Sequence, residues 1–203
     1  MRNLIYGAII LAPAYAGAQV WMETGAGPWI PFFGAFNTNH NIGIQAKIRA
    51  GLWITPPDWA IDMLPFIQEG TKVAPFVEVY HTWNQLKESV WEVQDGDTLT
   101  SGNMLYIGLG SKVIFNSEGS LSYGTSISMG LLNEYAVSGS NIIGSGSHAP
   151  PKFSPSLFLS AFVMYNVTEH FYLFAEGTSE SLGSFSGGYT GWAEATAGFG
   201  LKF

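Results

Sequence analysis

Four histidines and a small set of charged residues have the side chains of this chain that are best suited to catalysis or ligand binding. The histidines, His40, His81, His148 and His170, lie far apart, and no pair has the spacing of a metal-binding motif. Cysteine is absent, which excludes disulfides, thiolate ligands and a cysteine nucleophile. We therefore predict no metal site and no cofactor.

Eight charged residues stand out because each lies within a stretch of alternating apolar residues. They are four acids and four bases, Glu23, Glu78, Glu176, Glu194, Lys47, Arg49, Lys112 and Lys202. A charge at such a position shares one side of its segment with small and polar neighbours. Opposite charges gathered on the polar sides of several segments predict ion pairs, because a buried charge is stable only when it is paired and hydrogen-bonded.

Residues 42–54 indicate which element positions these charges. The even-numbered residues from Ile42 to Ile54 are all apolar, whereas Lys47 and Arg49 have the other parity. This period of two predicts a β-strand with one apolar and one polar side. A base on a lipid-facing surface costs roughly 2–4 kcal/mol near the bilayer midplane, so two bases determine which side faces inward.

Further segments alternate in the same way, and together they predict eight strands. The predicted strands are residues 20–29, 42–54, 73–83, 104–115, 121–131, 155–166, 170–179 and 191–203. The first is weakened by Pro28 and its glycines. The pattern predicts an all-β fold, an eight-stranded antiparallel up-and-down β-barrel that crosses a membrane.

The last predicted strand resembles that of a known class of proteins. Its apolar side ends with Phe199, Leu201 and Phe203. A strand that alternates in this way and stops on phenylalanine resembles the closing strand of the small OmpA-type bacterial outer-membrane barrels, a class with OmpX-like and OmpW-like members. The resemblance implies that barrel-insertion machinery recognises these three residues, that the protein lies in the outer membrane, and that its conductance is small at most.

The composition agrees with such a barrel. Hydrophobic residues make up 47% of the chain and charged residues only 11%, against about 25% charged residues in ordinary soluble domains. The 25 glycines and the aromatic share of 15% fit a barrel with small residues inside and rings near its rims. The net charge of −7 argues against a nucleic-acid partner, which requires a basic surface.

Residues 1–18 are predicted to be a cleaved signal peptide. Arg2 precedes a short apolar core, and small residues form cleavage sites that end at Ala16 and Ala18. The core is too short for a membrane anchor. We predict cleavage after Ala18, so that residues 19–203 form the barrel domain.

The predicted connections differ in length on the two sides of the membrane. Counting back from Phe203 puts short turns at 116–120 and 167–169 on the periplasmic side, as expected for this class. Residues 55–72 are a long exception on that side, and both a helical turn after Asp58 and an irregular loop are consistent with them. The predicted outer loops are residues 30–41, 84–102, 132–154 and 180–190.

The charges inside the predicted barrel allow two interpretations. Side chains can fill the interior of an eight-stranded barrel, so the ion pairs could plug the lumen, which is the interpretation that we favour. Alternatively, the same pairs could gate a narrow polar conduit.

His81 is the one candidate for a catalytic residue. It has the outward parity of Val77 and Val79, near the outer rim. Lipid A deacylase barrels have a histidine there and a serine two residues later, and the histidine activates the serine to attack an ester. Here Trp83 takes the serine position, and Ser89 has a different spacing. The alternative is an interfacial histidine in an aromatic belt.

We predict a non-enzymatic outer-membrane barrel whose long outer loops contact an extracellular ligand or a host surface. The alternatives are a small channel for ionic or hydrophobic solutes and a lipid A-modifying enzyme that uses His81. The expected partners are outer-membrane lipid and the barrel-insertion machinery. A soluble β-sandwich, in which the apolar sides would bury one another, is the rival fold.

Overall fold

The structure is a computed structural model, and the residues it describes form a closed β-barrel. It describes residues 18–33, 39–56, 70–88, 92–94, 97–99, 101–117, 119–138, 141–143, 152–184 and 188–203. Eight long strands within these residues make up the barrel. They are β1 Gln19–Phe33, β2 Gly43–Trp53, β3 Lys72–Trp83, β4 Ser101–Phe115, β5 Leu121–Ser138, β6 Lys152–Asn166, β7 Phe171–Ser184 and β8 Gly188–Lys202.

Every strand pairs antiparallel with its sequence neighbours, and β1 pairs with β8 to close the barrel. The predicted eight-stranded antiparallel barrel is confirmed. Because each of the eight barrel strands is paired on both sides, none of them is an edge strand, which is how a β-structure satisfies its backbone groups in lipid.

The strands alternate between the barrel interior and its outer surface, with the predicted side facing inward in each strand. In β2, for example, Lys47 and Arg49 are buried whereas Ile44 and Ile48 are exposed. We call the exposed apolar side chains of the strands the outer belt. Its large members include Val20, Met22, Ile44, Ile48, Val77, Val79, Ile107, Leu109, Ile127, Met129, Leu131, Leu157, Leu159, Val163, Leu173, Phe199 and Leu201.

Several stretches that the sequence predicted as outer loops are in strands, which corrects the predicted boundaries. They are residues 30–33, 101–102, 132–138, 152–154, 180–184 and 188–190. In 101–102 and 180–184, serine and glycine hide the alternation of side chains, but ladder hydrogen bonds join backbone groups and need no apolar side chain. The β7–β8 ladder accordingly continues as far as the pair Ser184 and Gly188.

Two short strand pairings lie at the end of the barrel where these strands are extended. Glu92–Gln94 pairs with Asp97–Leu99 in the connection between β3 and β4, which was predicted to be a plain loop. Asn141–Ile143 pairs with the end of β5. We call this end of the barrel, where the strands are extended, the loop end.

The opposite end, which we call the turn end, has short connections between β4 and β5 and between β6 and β7. Asn116 has a left-handed backbone (φ 52°), a conformation that asparagine tolerates better than most residues. Its side-chain amide donates to the Leu121 carbonyl at 2.8 Å. The Asn166 amide donates to the Gly119 carbonyl at 2.7 Å, which joins the two turns. Residues 116–117, 119–120 and 167–169 therefore lie in turns where the sequence indicated them.

Some predictions fall outside the described residues. The signal peptide is one of them, because residues 1–17 are outside, and so are Asp58 and the rest of 57–69. Ser89 and His148 are outside as well. Among the described residues, no helix has the length and apolar character to cross a membrane.

Candidate functional site

The barrel interior is filled by side chains, with an apolar layer near each end and a charged layer between them. The turn-end layer consists of Trp21, Trp53, Ala74, Phe76, Ile114, Phe162, Met164, Tyr172 and Phe174. The loop-end layer consists of Trp29, Tyr80, Met104, Tyr106, Leu132, Phe158 and Trp192. Each layer combines large rings from several strands, so both ends of the interior are occupied by bulky side chains.

Arg49 is the centre of the charged layer. The strand register puts it directly opposite Glu23 on β1 and Glu78 on β3. Its guanidinium bonds to both, with 3.1 Å between Nη1 and Glu23 Oε1. It also forms a two-pronged bond with Glu176 from the far wall, with Nη1–Oε2 at 2.5 Å and Nη2–Oε1 at 2.9 Å. Such a forked contact with a carboxylate is the geometry for which arginine is suited.

Lys47 lies one inward position along β2 and connects the carboxylates of Glu176 on β7 and Glu194 on β8. Its ammonium is 2.9 Å from Glu176 Oε1 and 3.5 Å from Glu194 Oε2. Glu194 is fixed further by the Trp192 indole, which donates to Oε1 at 2.8 Å. Lys47 and Arg49, the two bases of β2, therefore share Glu176 as a common partner.

Lys112 on β4 joins the layer from a third direction. Its ammonium is 2.5 Å from Glu23 Oε1. It also lies 5.0 Å from the ring centroid of Trp21 and 4.9 Å from that of Phe162. These cation–π contacts connect the charged layer to the turn-end layer. They offset part of the free-energy cost of removing the ammonium from water.

We call these seven charged residues the charge network, and neutral side chains extend it to the remaining strands. Its members are Glu23, Lys47, Arg49, Glu78, Lys112, Glu176 and Glu194. Ser128 on β5 donates to Glu78 at 3.2 Å, and Thr178 on β7 donates to Glu176 at 3.0 Å. Ser160 on β6 hydrogen-bonds to Thr178 at 3.0 Å. Polar contacts therefore run through all eight strands.

Lys202, the eighth residue that the sequence assigned to this set, lies apart from it. Its inward position is the last one of β8, so its ammonium is at the turn end. There it donates to Asn166 Oδ1 at 2.8 Å and lies 4.3 Å from the ring centroid of Trp53. The predicted place of Lys202 among the ion pairs is corrected accordingly. The terminal apolar residues Phe199, Leu201 and Phe203 point outward.

Glu180 is a buried interior acid that the sequence analysis missed. Only 2% of its surface is exposed. The predicted seventh strand stopped at Ser179, so Glu180 was placed in a loop. The signal was present in the sequence, because Glu176, Thr178 and Glu180 share one parity, and a strand extended by one residue turns Glu180 inward.

His81 faces outward near the loop end, beside aromatic side chains. Its Nε2 atom hydrogen-bonds to the Tyr135 hydroxyl. Its ring centroid is 4.2 Å from that of Trp83. The hydroxyl bonded to His81 within the described part of the chain is thus a phenol rather than the serine that an acyl-transfer site requires.

The other described histidines have structural contacts. His40 Nδ1 is 2.5 Å from Asn84 Oδ1, and its ring lies edge-on to Trp29. His170 Nδ1 is 3.1 Å from the Lys202 carbonyl oxygen at the turn end. Within the ranges that the structure describes, no three side chains of His, Asp or Glu come together as a metal-binding group.

Comparisons with known proteins bear on the fold. Neither a protein-family model nor a curated protein sequence matches the chain. Solved structures do match. Neisserial surface protein A matches with a TM-score of 0.58 and 16% identity, over 92% of this chain and 99% of that one. The Ail protein of Yersinia pestis matches with a TM-score of 0.50 and 14% identity, over 92% and 99%. A major outer membrane protein of Thermus thermophilus matches with a TM-score of 0.50 and 11% identity, over 92% of this chain and 100% of that one.

The chain has the fold of the small outer-membrane β-barrels. This outer-membrane barrel fold agrees with the resemblance that the sequence indicated. Identities this low carry the fold alone, so the activity of this chain has to be argued from its own side chains.

Proposed function

We propose that this chain is an outer-membrane barrel with a closed lumen, which acts through contacts made at its loop end rather than by transport or catalysis. Its outer belt supports the membrane location. Leu109, for example, has 65% of its surface exposed, and such residues surround the barrel. Soluble monomers rarely expose an apolar surface that is so continuous, whereas lipid covers it in an outer-membrane barrel.

The charge network is the observation that carries the proposal of a closed lumen. Its seven side chains are at most 4% exposed and they bond to one another across the barrel axis. An aqueous path would have to separate Arg49 from Glu176, which are joined by a two-pronged buried ion pair. The apolar layers above and below the network add two further obstructions. We therefore expect the network to act as a plug.

The loop end is the part that we propose to contact a partner. Strands β5 and β7 extend there to Ser138 and Ser184, and the β3–β4 connection carries its own short hairpin. Two of the matched structures are described as a surface protein and an attachment invasion locus protein, which agrees with a role in surface contact.

The charge of the connection between β3 and β4 narrows the class of partner. Residues 84–102 contain four acids, Glu88, Glu92, Asp95 and Asp97, and one base, Lys87. One Ail structure is described as a complex with a heparin analogue, sucrose octasulfate. An acidic connection repels such a polyanion, so we expect this chain to favour a cationic or neutral surface.

A planar-bilayer measurement tests the closed lumen. Residues 19–203 are refolded into detergent, checked for a mobility difference between boiled and unboiled gel samples, and added to the bilayer. We expect no steady ionic current from the unmodified protein. A steady current that changes on Lys47→Ala or Glu78→Ala would overturn the proposal in favour of a channel.

A binding measurement tests the loop end. Lipid vesicles that contain the refolded barrel are applied to polylysine-coated and heparin-coated surfaces. We expect retention on the cationic surface, weaker at high salt, and its loss when the four acids of 84–102 are replaced by their amides. The matched control replaces Glu169, in the turn at the other end, by glutamine. Equal retention of both variants would contradict the proposal.

A further inference from the structure

A groove crosses the outer wall of the barrel near the loop end, over strands β1 to β4. The register sets its residues side by side, with Pro28 opposite Ile44 and Ile44 opposite Trp83. Gln85 and Ser101, which face each other in an isolated bridge, also line it. The groove has a volume of about 750 Å³, which lies within the range of sites that hold small molecules.

The two sides of this groove differ in chemistry. On the side of β2 it is lined by Ile42 and Ile44, two of the most exposed apolar side chains of the barrel. On the side of β4 it is lined by the amides of Gln85 and Asn103. Trp83 on β3 lies between the two sides. A ligand that fills the groove therefore has one apolar part and one part rich in hydrogen-bonding groups.

Both amides have hydrogen-bonding groups to offer. Asn103 Oδ1 accepts the backbone N–H of Asn84 at 3.3 Å, and the NH₂ group of the same side chain bonds to no described residue. The exposed side chain of Gln85 likewise makes no hydrogen bond within the described ranges. An amide both donates and accepts, which matches a hydroxyl group, since a hydroxyl does both as well.

Trp83 supplies a flat ring whose position is supported by its neighbours. Its ring centroid is 4.2 Å from that of His81, and His81 in turn bonds to the Tyr135 hydroxyl. Half of the Trp83 surface, 51%, remains exposed. A ring held in this way loses little conformational entropy when a ligand binds. Its apolar face suits the C–H face of a pyranose sugar, which is flat and of similar size.

Charge argues against a phosphate group as the polar part of the ligand. None of the described residues that line the groove is charged. Gln85 and Ser101 also belong to the connection 84–102, which has four acids and one base. A phosphate would meet no base in the groove and would be repelled by this connection, whereas the neutral hydroxyls of a sugar would not.

We propose that the groove binds the neutral sugar headgroup of a glycolipid. The sugar ring stacks on Trp83, its hydroxyls bond to Gln85 and Asn103, and the first part of the hydrocarbon chain lies on Ile42 and Ile44. The groove is continuous with the outer belt, so a lipid reaches it without leaving the membrane. This inference deepens the proposed contact role of the loop end, but it requires neither the closed lumen nor the four acids of 84–102.

An NMR titration of the refolded barrel tests the groove. Residues 19–203, labelled with ¹⁵N in dodecylphosphocholine micelles, are titrated with octyl glucoside. We expect saturable shifts of the Trp83 indole and of the Gln85 and Asn103 side-chain amides. Octanol, which has the chain alone, and octyl phosphate, which has an anionic headgroup, should give no saturable shift of these amides. Methyl glucoside, which lacks the chain, should bind at least about tenfold more weakly.

Two variants connect the binding to the groove. Trp83→Leu keeps an apolar side chain but removes the flat ring, so it should weaken the binding of octyl glucoside about tenfold. Gln85→Met keeps the length of the side chain but removes its amide, so it should weaken binding as well. The matched control is Tyr165→Leu, which removes an exposed ring of the outer wall at the turn end. It should bind octyl glucoside as the unmodified protein does.

Several results would overturn the proposal. They are the absence of saturable amide shifts in the unmodified protein, equal binding of octyl phosphate, equal affinity for methyl glucoside, and equal affinities of the Trp83→Leu and Tyr165→Leu variants. The variant in which the four acids of 84–102 are replaced by their amides should still bind octyl glucoside. Retention on polylysine without glucoside binding therefore rejects the groove alone, and glucoside binding without retention rejects only the charge-based contact.

Discussion

Arg49 contacts three carboxylates that come from three different strands, Glu23, Glu78 and Glu176. Replacing it by methionine keeps much of its volume but leaves those acids without their main partner. We predict that Arg49→Met lowers the free energy of unfolding by about 3–5 kcal/mol. Urea unfolding of the refolded protein in lipid vesicles measures the change.

Lys72 provides the control for Arg49. It is a base at the start of β3, 5.5 Å from the ring centroid of Trp53 and outside the charge network. Lys72→Met should change stability far less than Arg49→Met. Adding Glu78→Gln to Arg49→Met should recover part of the loss, because one unpaired acid is then removed. Equal effects of the two methionine variants would show that the network contributes little.

The His81–Tyr135 hydrogen bond leads to a separate prediction about the outer surface. His81→Ala and Tyr135→Phe each remove one partner of the same bond. We predict a coupling of about 0.5–1.5 kcal/mol between them in a double-mutant cycle of unfolding, as expected for one neutral hydrogen bond. Additive effects of the two substitutions would show that His81 and Tyr135 do not stabilise the fold through a shared bond. Loss of an esterase activity in His81→Ala alone would instead favour the enzyme alternative.

Individual residues differed in how well the sequence predicted them. Lys47 and Arg49 could be assigned to the inner face because they lie in a clear alternating stretch, whereas Glu23 lies in the predicted strand that Pro28 and its glycines weaken. Which members of the charge network touch one another could not be predicted, since Lys47 and Glu176 meet across the barrel and not across a ladder. Glu180 was missed because serines and glycines around it conceal the strand.

At the scale of the elements, the seam between β1 and β8 is where the barrel closes. Gly27 lies in this seam, and a Cβ atom placed on it would be 1.8 Å from the Ala195 carbonyl oxygen. We predict that Gly27→Ala forces the two strands apart and strongly reduces the fraction of protein that migrates as a folded barrel in unboiled gel samples. The physical reason is that every backbone group in the membrane needs its ladder partner.

Gly177 gives the matched control for the seam. It lies on β7, where an added Cβ atom meets nothing within 4 Å. Gly177→Ala should therefore fold as the unmodified chain does. If both variants retain the folded band equally, close approach at Gly27 does not control closure.

The strands themselves could be predicted well from alternation, because one side of each must be apolar where lipid covers it. The residues at which the strands end at the loop end could not be predicted in this way. Beyond the outer belt the side chains no longer alternate, and only backbone pairing continues the ladders, as in β5 and β7. A sequence pattern based on side chains does not detect hydrogen bonds between peptide groups.

At the scale of the whole molecule, the outer belt should respond to charge according to depth. Leu109 lies in the belt, and Val167 lies in the turn between β6 and β7 with 49% of its surface exposed. We predict that Leu109→Arg costs about 2–4 kcal/mol and that Val167→Arg costs near zero, because the penalty of a base falls towards the interface. Urea unfolding in vesicles measures both. Equal costs would contradict a lipid-covered belt.

The pairing of charges across the lumen has a consequence for how the barrel assembles. Lys47 and Glu176 are 129 residues apart in the chain, and Arg49 and Glu176 are 127 apart. An incomplete sheet would carry these charges without partners, so partial insertion is energetically penalised until the last strand arrives. We therefore expect insertion to pass a single late barrier without populated half-formed species. Contacts of such long sequence separation also slow the search, so folding should be slow even though the connections at the turn end are short.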